Sequence, residues 1–228
     1  MNGKFTLTIA RQYGSGGFLI GKKLADDLKV PFYDKELLRI AAKKSGFKED
    51  FINDNDEKPK FFLFLGNVAE QISSTLSFDD AGTENTSHSL FKIQSDVIRG
   101  LARKSSAIFV GRCADYVLRE YRNLVSVFIS ADVEDRIRRV SGELNIGRET
   151  ARAALETVDR QRARYYRHYT GKEWGAASSY HLCVNSSRLG LEATAEFIGH
   201  FIEKRLAAPA GYCTAASTAA VAASTGKN

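Results

Sequence analysis

The sequence predicts an α/β fold built on a parallel sheet, and three observations carry this. Short apolar runs of strand character alternate with segments of helical periodicity, a glycine-rich turn separates the first run from the first helical segment, and the runs stop at glycine or polar residues. Strands that alternate with helices join through right-handed crossovers, which cover both faces of a parallel sheet.

The elements follow in order. Phe5 to Ile9 alternates at period two; after Gly14-Ser15-Gly16-Gly17, apolar residues at Ile20, Leu24 and Leu28 recur on one helical face. Val30 to Tyr33 reads as a second short strand ending in Asp34, with a helix after it from Glu36 to Lys44. A long insertion follows, read as helices over 60–76 and 90–104 joined by the turn-rich stretch from Asp79 to Asn85. Ala107 to Val110, stopping at Gly111-Arg112, and Leu124 to Ile129, stopping at Ser130-Ala131-Asp132, are the third and fourth strands, each leading into a charged helical segment. Leu182-Cys183-Val184 is the fifth, before a last helix near Leu191 to Leu206. The stretch 1–206 is thus expected to be a single domain, and the Ala/Ser/Thr-rich stretch 207–228 a disordered tail without catalytic chemistry.

Composition narrows the classes. A chain of 228 residues suits one core with appended lobes, and 43% hydrophobic with 26% charged residues excludes wholesale disorder. The net charge of +6 favours an anionic partner without choosing among nucleic acid, a membrane surface and a phosphorylated small molecule. Three cysteines without a CxxC pair and four scattered histidines suggest neither a disulfide framework nor a zinc site, so no protein metal ligand is assigned. No signal-peptide core is present and the longest apolar run, Phe61 to Leu65, is too short to span a bilayer, which points to a cytoplasmic protein.

In an open parallel sheet the ligand sits outside the carboxyl ends of the strands. The residues there are Arg11 to Gly17 after the first strand, Asp34 after the second, Gly111-Arg112 after the third and Asp132 after the fourth. Glycines allow close backbone approach, and the N–H groups of Gly14, Ser15, Gly16, Gly17 and Phe18 open a helix, so phosphate binding is the expected role; a tight turn is the plainer alternative. The densest cationic run lies between Asp159 and His168. On a helix Arg160, Arg164 and Arg167 share one face, as a clamp on transferring phosphates requires, although a solvated basic face has the same spacing.

The blocks Ala10 to Gly17, Pro31 to Asp34, Val110 to Tyr116 and Tyr165 to Trp174 resemble, in that order, the cytidylate-kinase-like proteins, over about Thr6 to Leu206. The resemblance implies a P-loop NTPase fold with five parallel strands in order 2-3-1-4-5. It adds a helical lobe for the nucleoside monophosphate over about 36–104 and an arginine-rich lid over about 145–178. It implies ATP and Mg²⁺ as cofactors and phosphoryl transfer to a nucleoside monophosphate such as CMP, with small-molecule nucleotides as partners in preference to nucleic acid or a membrane. Oligomeric state stays open. Asp34 and Arg39 would line the acceptor site, and Arg112 matches the arginine of the Gly-Arg-Asp block; the aspartate of that block is Cys113 here, with Asp115 two positions later.

The phosphate loop departs further. A P-loop reads GxxxxGK[ST], its lysine on the β/γ-phosphates and its hydroxyl on magnesium. Aligned on strand and helix, those two positions are Gly17 and Phe18. A literal GxxxxGK runs from Gly16 to Lys22, but it would place Phe18-Leu19-Ile20 in the loop and Lys23 at the hydroxyl position. In the first register Arg11 and the lid arginines would supply the missing charge, magnesium would be held through the nucleotide phosphates with Ser15 as a candidate hydroxyl, and Asp34 or Asp115 would orient the acceptor or hold magnesium through water. The catalytic set is then Arg11, Asp34, Arg112, Arg160, Arg164 and Arg167. The plainer role for Arg11 is a pair with Asp34 that stiffens the loop. A nucleotide-responsive binding protein without turnover is the rival function. A nucleic-acid binder ranks third, because the basic run has only two adjacent tyrosines for stacking and no recognisable module surrounds it.

Overall fold

The computed structural model describes residues 4–34 and 84–207. Arg39, the helices expected at 36–44 and 60–76, and the tail from 208 onwards lie outside the described residues. In chain order the elements are β1 (Thr6–Arg11), α1 (Gly17–Leu28), β2 (Phe32–Tyr33), α2 (Glu84–Lys104), β3 (Ala107–Val110), α3 (Ala114–Val117), β4 (Leu124–Ser130), α4 (Val133–Leu144), α5 (Arg148–Thr170), a 3₁₀ turn at Ala177–Ser179, β5 (Leu182–Asn185) and α6 (Ser186–Ala207).

The five strands form one parallel sheet in the order β2-β3-β1-β4-β5, as the resemblance implies. β1 is central, with Thr6 to Ile9 paired to Ala107 to Val110 on one side and Thr6 to Arg11 paired to Leu124 to Ile129 on the other. Alternation along the strands splits the core in two. Leu7, Ile9, Ile108, Val110, Val125, Val127 and Ile129 face α1 and α6, meeting Ile20, Leu24, Ile198 and Ile202. Ala107, Phe109 and Leu124 face α2 and α3, meeting Val97, Ile98, Ala102, Val117 and Leu118. Each fully buried aliphatic or aromatic side chain contributes roughly 1.5–3 kcal/mol, so this three-layer arrangement fixes where the strand ends converge.

One helix differs from the sequence reading: α2 includes Glu84 and Asn85, inside the stretch read as a turn. α6 spans Ser186–Ala207 but breaks at Gly190, whose φ of 77° and ψ of 170° are not helical, so the helix expected near Leu191 to Leu206 is the part after the break. α4 and α5 form a helical hairpin about Asn145-Ile146-Gly147, closed by Ile137, Val140, Leu144, Ala151 and Leu155 with Tyr13 packed against them. Its second helix crosses the carboxyl end of the sheet, and a further cluster of Cys113, Phe128, Tyr166 and Tyr180 holds it there with Tyr165, Tyr169 and Trp174. No helix among the described residues is long and apolar enough to cross a membrane.

Candidate active site

The loop after β1 is shaped by glycine. Gly14 and Gly16 have φ of 73° and 77°, which L side chains rarely adopt. A β-carbon on Gly14 would also stand 3.0 Å from the Arg136 carbonyl oxygen, and one on Gly16 would collide with Leu191. Gly16 caps α1 and Gly17 opens it, so the first N–H groups of the helix lack intrahelical acceptors and its positive dipole end faces the loop.

The loop carbonyls are anchored from outside. Arg136 Nε donates to Tyr13 O at 2.7 Å, Arg139 to Gly14 O, Ser186 Oγ to Ser15 O at 2.7 Å and Arg162 Nη1 to Arg11 O at 2.9 Å. In a trans peptide the carbonyl and the following N–H point in opposite directions. Anchoring Tyr13, Gly14 and Ser15 by their carbonyls therefore aims the N–H groups of Gly14, Ser15 and Gly16 away from the anchors, although that of Ser15 also closes a turn on Gln12 O at 3.3 Å.

Arg11 leaves β1 between two glycines. A β-carbon on Gly17 would lie 2.7 Å from Arg11 Cβ, and one on Gly111 would collide with the Arg11 guanidinium. Through this channel Arg11 Nη2 reaches Asp34 Oδ1 at 3.3 Å. Burial lowers the Arg11 pKa, Asp34 opposes that and the charge of Arg112 adds to it. Arg112 itself sits in a strained turn: Gly111, Arg112 and Cys113 have φ of 79°, 60° and 52° in succession. Holding two non-glycine residues there costs about 1–3 kcal/mol each, a form of strain that clusters at ligand sites.

The third arginine at the site is Arg162, from α5. Besides bonding Arg11 O, its guanidinium lies 5.7 Å from the centre of the Tyr13 ring. Burial lowers its pKa, and the neighbouring Arg11 charge lowers it further. Among the described residues Arg11 pairs with Asp34, and Arg162 lies near Asp34 and near Asp159, which itself pairs with Arg136, so with Arg112 beside Arg11 an excess of positive charge is left beside the helix N-terminus. Asp159 accepts the Tyr13 N–H at 2.7 Å and pairs with Arg136.

The clamp residues named from the sequence are placed elsewhere. Arg160, Arg164 and Arg167 are exposed, on the outer side of α5. Ala151, Leu155, Asp159, Arg162 and Tyr166 recur every three or four residues and form the face turned to the loop. Charge spacing showed that three arginines share a face, and the apolar phase of Ala151, Leu155 and Tyr166 decides which face is inward. That phase was the signal that would have found Arg162. Asp115 is also away from the loop, accepting the Tyr166 hydroxyl at 2.7 Å; burial raises its pKa. Ser15 is fully buried with no partner for its Oγ among the described residues, and Phe18 is exposed, edge-on to Phe32 at 5.4 Å.

The literal motif does not form a loop. Phe18, Leu19 and Ile20 are the second to fourth residues of α1, and Lys22 lies exposed on it, 3.9 Å from Asp26. Lys23 pairs with Asp27 at 3.3 Å and Glu192 at 3.1 Å.

A parallel sheet in order 2-3-1-4-5, with a glycine loop between its central strand and the first helix, defines the class as a P-loop kinase fold. The profile of the cytidylate kinase-like family matches residues 6–188, and the chain belongs to that family. Among solved structures it is similar to an uncharacterized protein from Eubacterium ventriosum, at 25% identity and TM-score 0.66, over 88% of this chain and 99% of that one. Shikimate kinase from Bacteroides thetaiotaomicron matches at 15% identity and TM-score 0.48, over 88% and 99% of the two chains. Shikimate kinase from Acinetobacter baumannii matches at 14% and 0.49, over 90% and 96%. A search of curated proteins finds no match.

Proposed function

We propose that the protein transfers the terminal phosphoryl group of ATP to a nucleoside monophosphate, CMP being the first acceptor to test. The observation that carries this is the threading of Arg11 between Gly17 and Gly111, which brings a guanidinium to the loop where the usual lysine is missing, beside Arg112 and Arg162. The residues present suit a polyphosphate: left-handed glycines, helix-opening N–H groups and surplus positive charge. Mg²⁺, when bound with the nucleotide, would offset the charge that develops on the transferring phosphates. Asp34, paired with Arg11, is a carboxylate at that site, and no group of three or more His, Cys, Asp or Glu among the described residues could hold a metal ion unaided.

The chain's own parts divide the work. Arg11 and Arg162 grip the donor phosphates, Arg112 meets the acceptor phosphate with Arg39 assigned to the same site, and Asp34 orients Arg11 and the acceptor hydroxyl or phosphate. Asp115 acts through Tyr166 by fixing α5. The exposed Arg160, Arg164 and Arg167 require a movement of α5 to take part.

The rival is a nucleotide-responsive binding protein without turnover, favoured by the glycine at the lysine position and by exposed Phe18 at the hydroxyl position. The test is ADP formation from ATP with each nucleoside monophosphate in turn. Turnover with one acceptor supports the kinase. ATP binding with no transfer to any acceptor establishes the rival.

A further inference from the structure

The peptide groups of Tyr13 are held on both sides by one ion pair. Arg136 Nε donates to the Tyr13 carbonyl at 2.7 Å, Asp159 Oδ1 accepts the Tyr13 N–H at 2.7 Å, and Arg136 Nη2 closes the figure on Asp159 Oδ2. Arg136 comes from α4 and Asp159 from α5, so both helices of the hairpin end on one residue of the phosphate loop. The pair is well shielded, at 7% and 16% side-chain exposure.

An ion pair this buried is a poor source of net stability, since desolvating two charges offsets most of their attraction. What it does supply is directional. A carboxylate and a guanidinium that both bond the same residue fix the planes of the peptides before and after it, and Gly14, the next residue, has no β-carbon to restrict it. The neighbouring Arg139 anchors Gly14 O and the Tyr13 ring lies under Arg162, so a tilt of α5 would pull on the loop at its first flexible residue.

We infer that Arg136 and Asp159 are positioning residues that set the phosphate loop from the α4–α5 hairpin, coupling the placement of α5 to the presentation of the loop N–H groups. The inference rests on the proposed phosphate-binding role of that loop. Neither residue touches the nucleotide in this account. Burial raises the Asp159 pKa while the Tyr13 N–H and Arg136 oppose it, consistent with a carboxylate held in place by those partners.

The test uses the full chain and four proteins: wild type, Arg136→Ala, Asp159→Ala and the pair Arg136→Met with Asp159→Leu, which preserves packing if the alanine variants unfold. ATP affinity, thermal midpoint and amide exchange at residues 12–17 are read on each. The expected result is about tenfold weaker ATP binding and faster exchange at Tyr13 in every variant, with the double replacement no worse than the singles because the two residues act as a unit. A lowered midpoint with unchanged ATP affinity and unchanged loop exchange would overturn the inference. So would tighter ATP binding by Asp159→Ala, which would show that the carboxylate merely repels phosphate. If wild type binds no ATP, the proposed function fails by itself; the exchange measurement then still decides whether the pair sets the loop.

Discussion

Arg11 and Gly17 are reciprocal choices. In an ordinary P-loop the small residue opens the loop and the lysine closes it; here the long cation stands first and a glycine stands where the lysine would be. The stem of Arg11 occupies the space that a β-carbon at position 17 needs. Gly17→Lys alone is therefore expected to weaken ATP binding instead of improving it, and to lower the thermal midpoint. Arg11→Gly combined with Gly17→Lys, which restores the ordinary order, should recover binding. Equal or better binding by Gly17→Lys alone would show that the clash is not real. Gly111→Ala should push the Arg11 guanidinium off Asp34, with about tenfold loss of ATP affinity for one charge-assisted contact.

At this scale the loop glycines were legible in the sequence because positive φ and close approach select one residue type. The inward arginine was missed for a different reason. Spacing alone groups charges on a helix face, and only the packing of Leu155 and Tyr166 assigns that face a direction.

Among the elements, α5 carries most of the site's dependence on tertiary structure. Its Tyr166 hydroxyl bonds Asp115, and its Tyr169 ring stacks on Phe91 of α2 with ring centres 4.0 Å apart, in the same cluster as Phe128 of β4, which lies against Tyr180 at 5.2 Å. Tyr166→Phe leaves a buried carboxyl short of a donor and should cost about 1–3 kcal/mol. Thermal melting should fall by roughly 2–4 °C per kcal/mol in a chain of this size. An unchanged midpoint would mean that the Asp115 contact contributes nothing.

The pH dependence has a definite sign. Burial raises the folded-state pKa of Asp115 and Asp159, so these carboxyls keep their protons where the unfolded chain has released them. Their contribution to stability is fully present below the ordinary aspartate value of about 3.9 and is lost as pH rises through the raised folded value. Asp115→Asn keeps an acceptor for Tyr166 without an ionising group. Its stability relative to wild type should accordingly improve as pH rises above the ordinary aspartate value of about 3.9, and parallel curves would contradict the raised pKa.

For the whole molecule, sheet order and layering place Arg11, Asp34, Gly111 and Arg112 at one end of the sheet, with Arg162 of α5 above Arg11. Those strands were legible from period-two runs that stop at glycine or polar residues. The helical character of Glu84 and Asn85 was not, because the stretch from Asp79 to Asn85 carries turn-forming residues and the inward face of α2, Val97, Ile98 and Ala102, lies further along. Movement belongs to this scale too. If α5 closes on ligand, ATP plus an acceptor should increase amide protection across residues 148–178, whereas unchanged protection would confine the role of the hairpin to holding the loop.

Nucleotide phosphates are expected to be gripped at the Gly14–Phe18 loop with Arg11 and Arg162, with the lysine of the literal motif, Lys22, a surface residue. Calorimetric titration of ATP into wild type, Arg11→Ala, Arg162→Ala and Lys22→Ala tests it directly, with folding of each variant checked by thermal melting. A loss of about tenfold or more is expected in both arginine variants, one charge-assisted contact being worth roughly 1.5–3 kcal/mol, with unchanged affinity in Lys22→Ala. Loss confined to Lys22→Ala would contradict it.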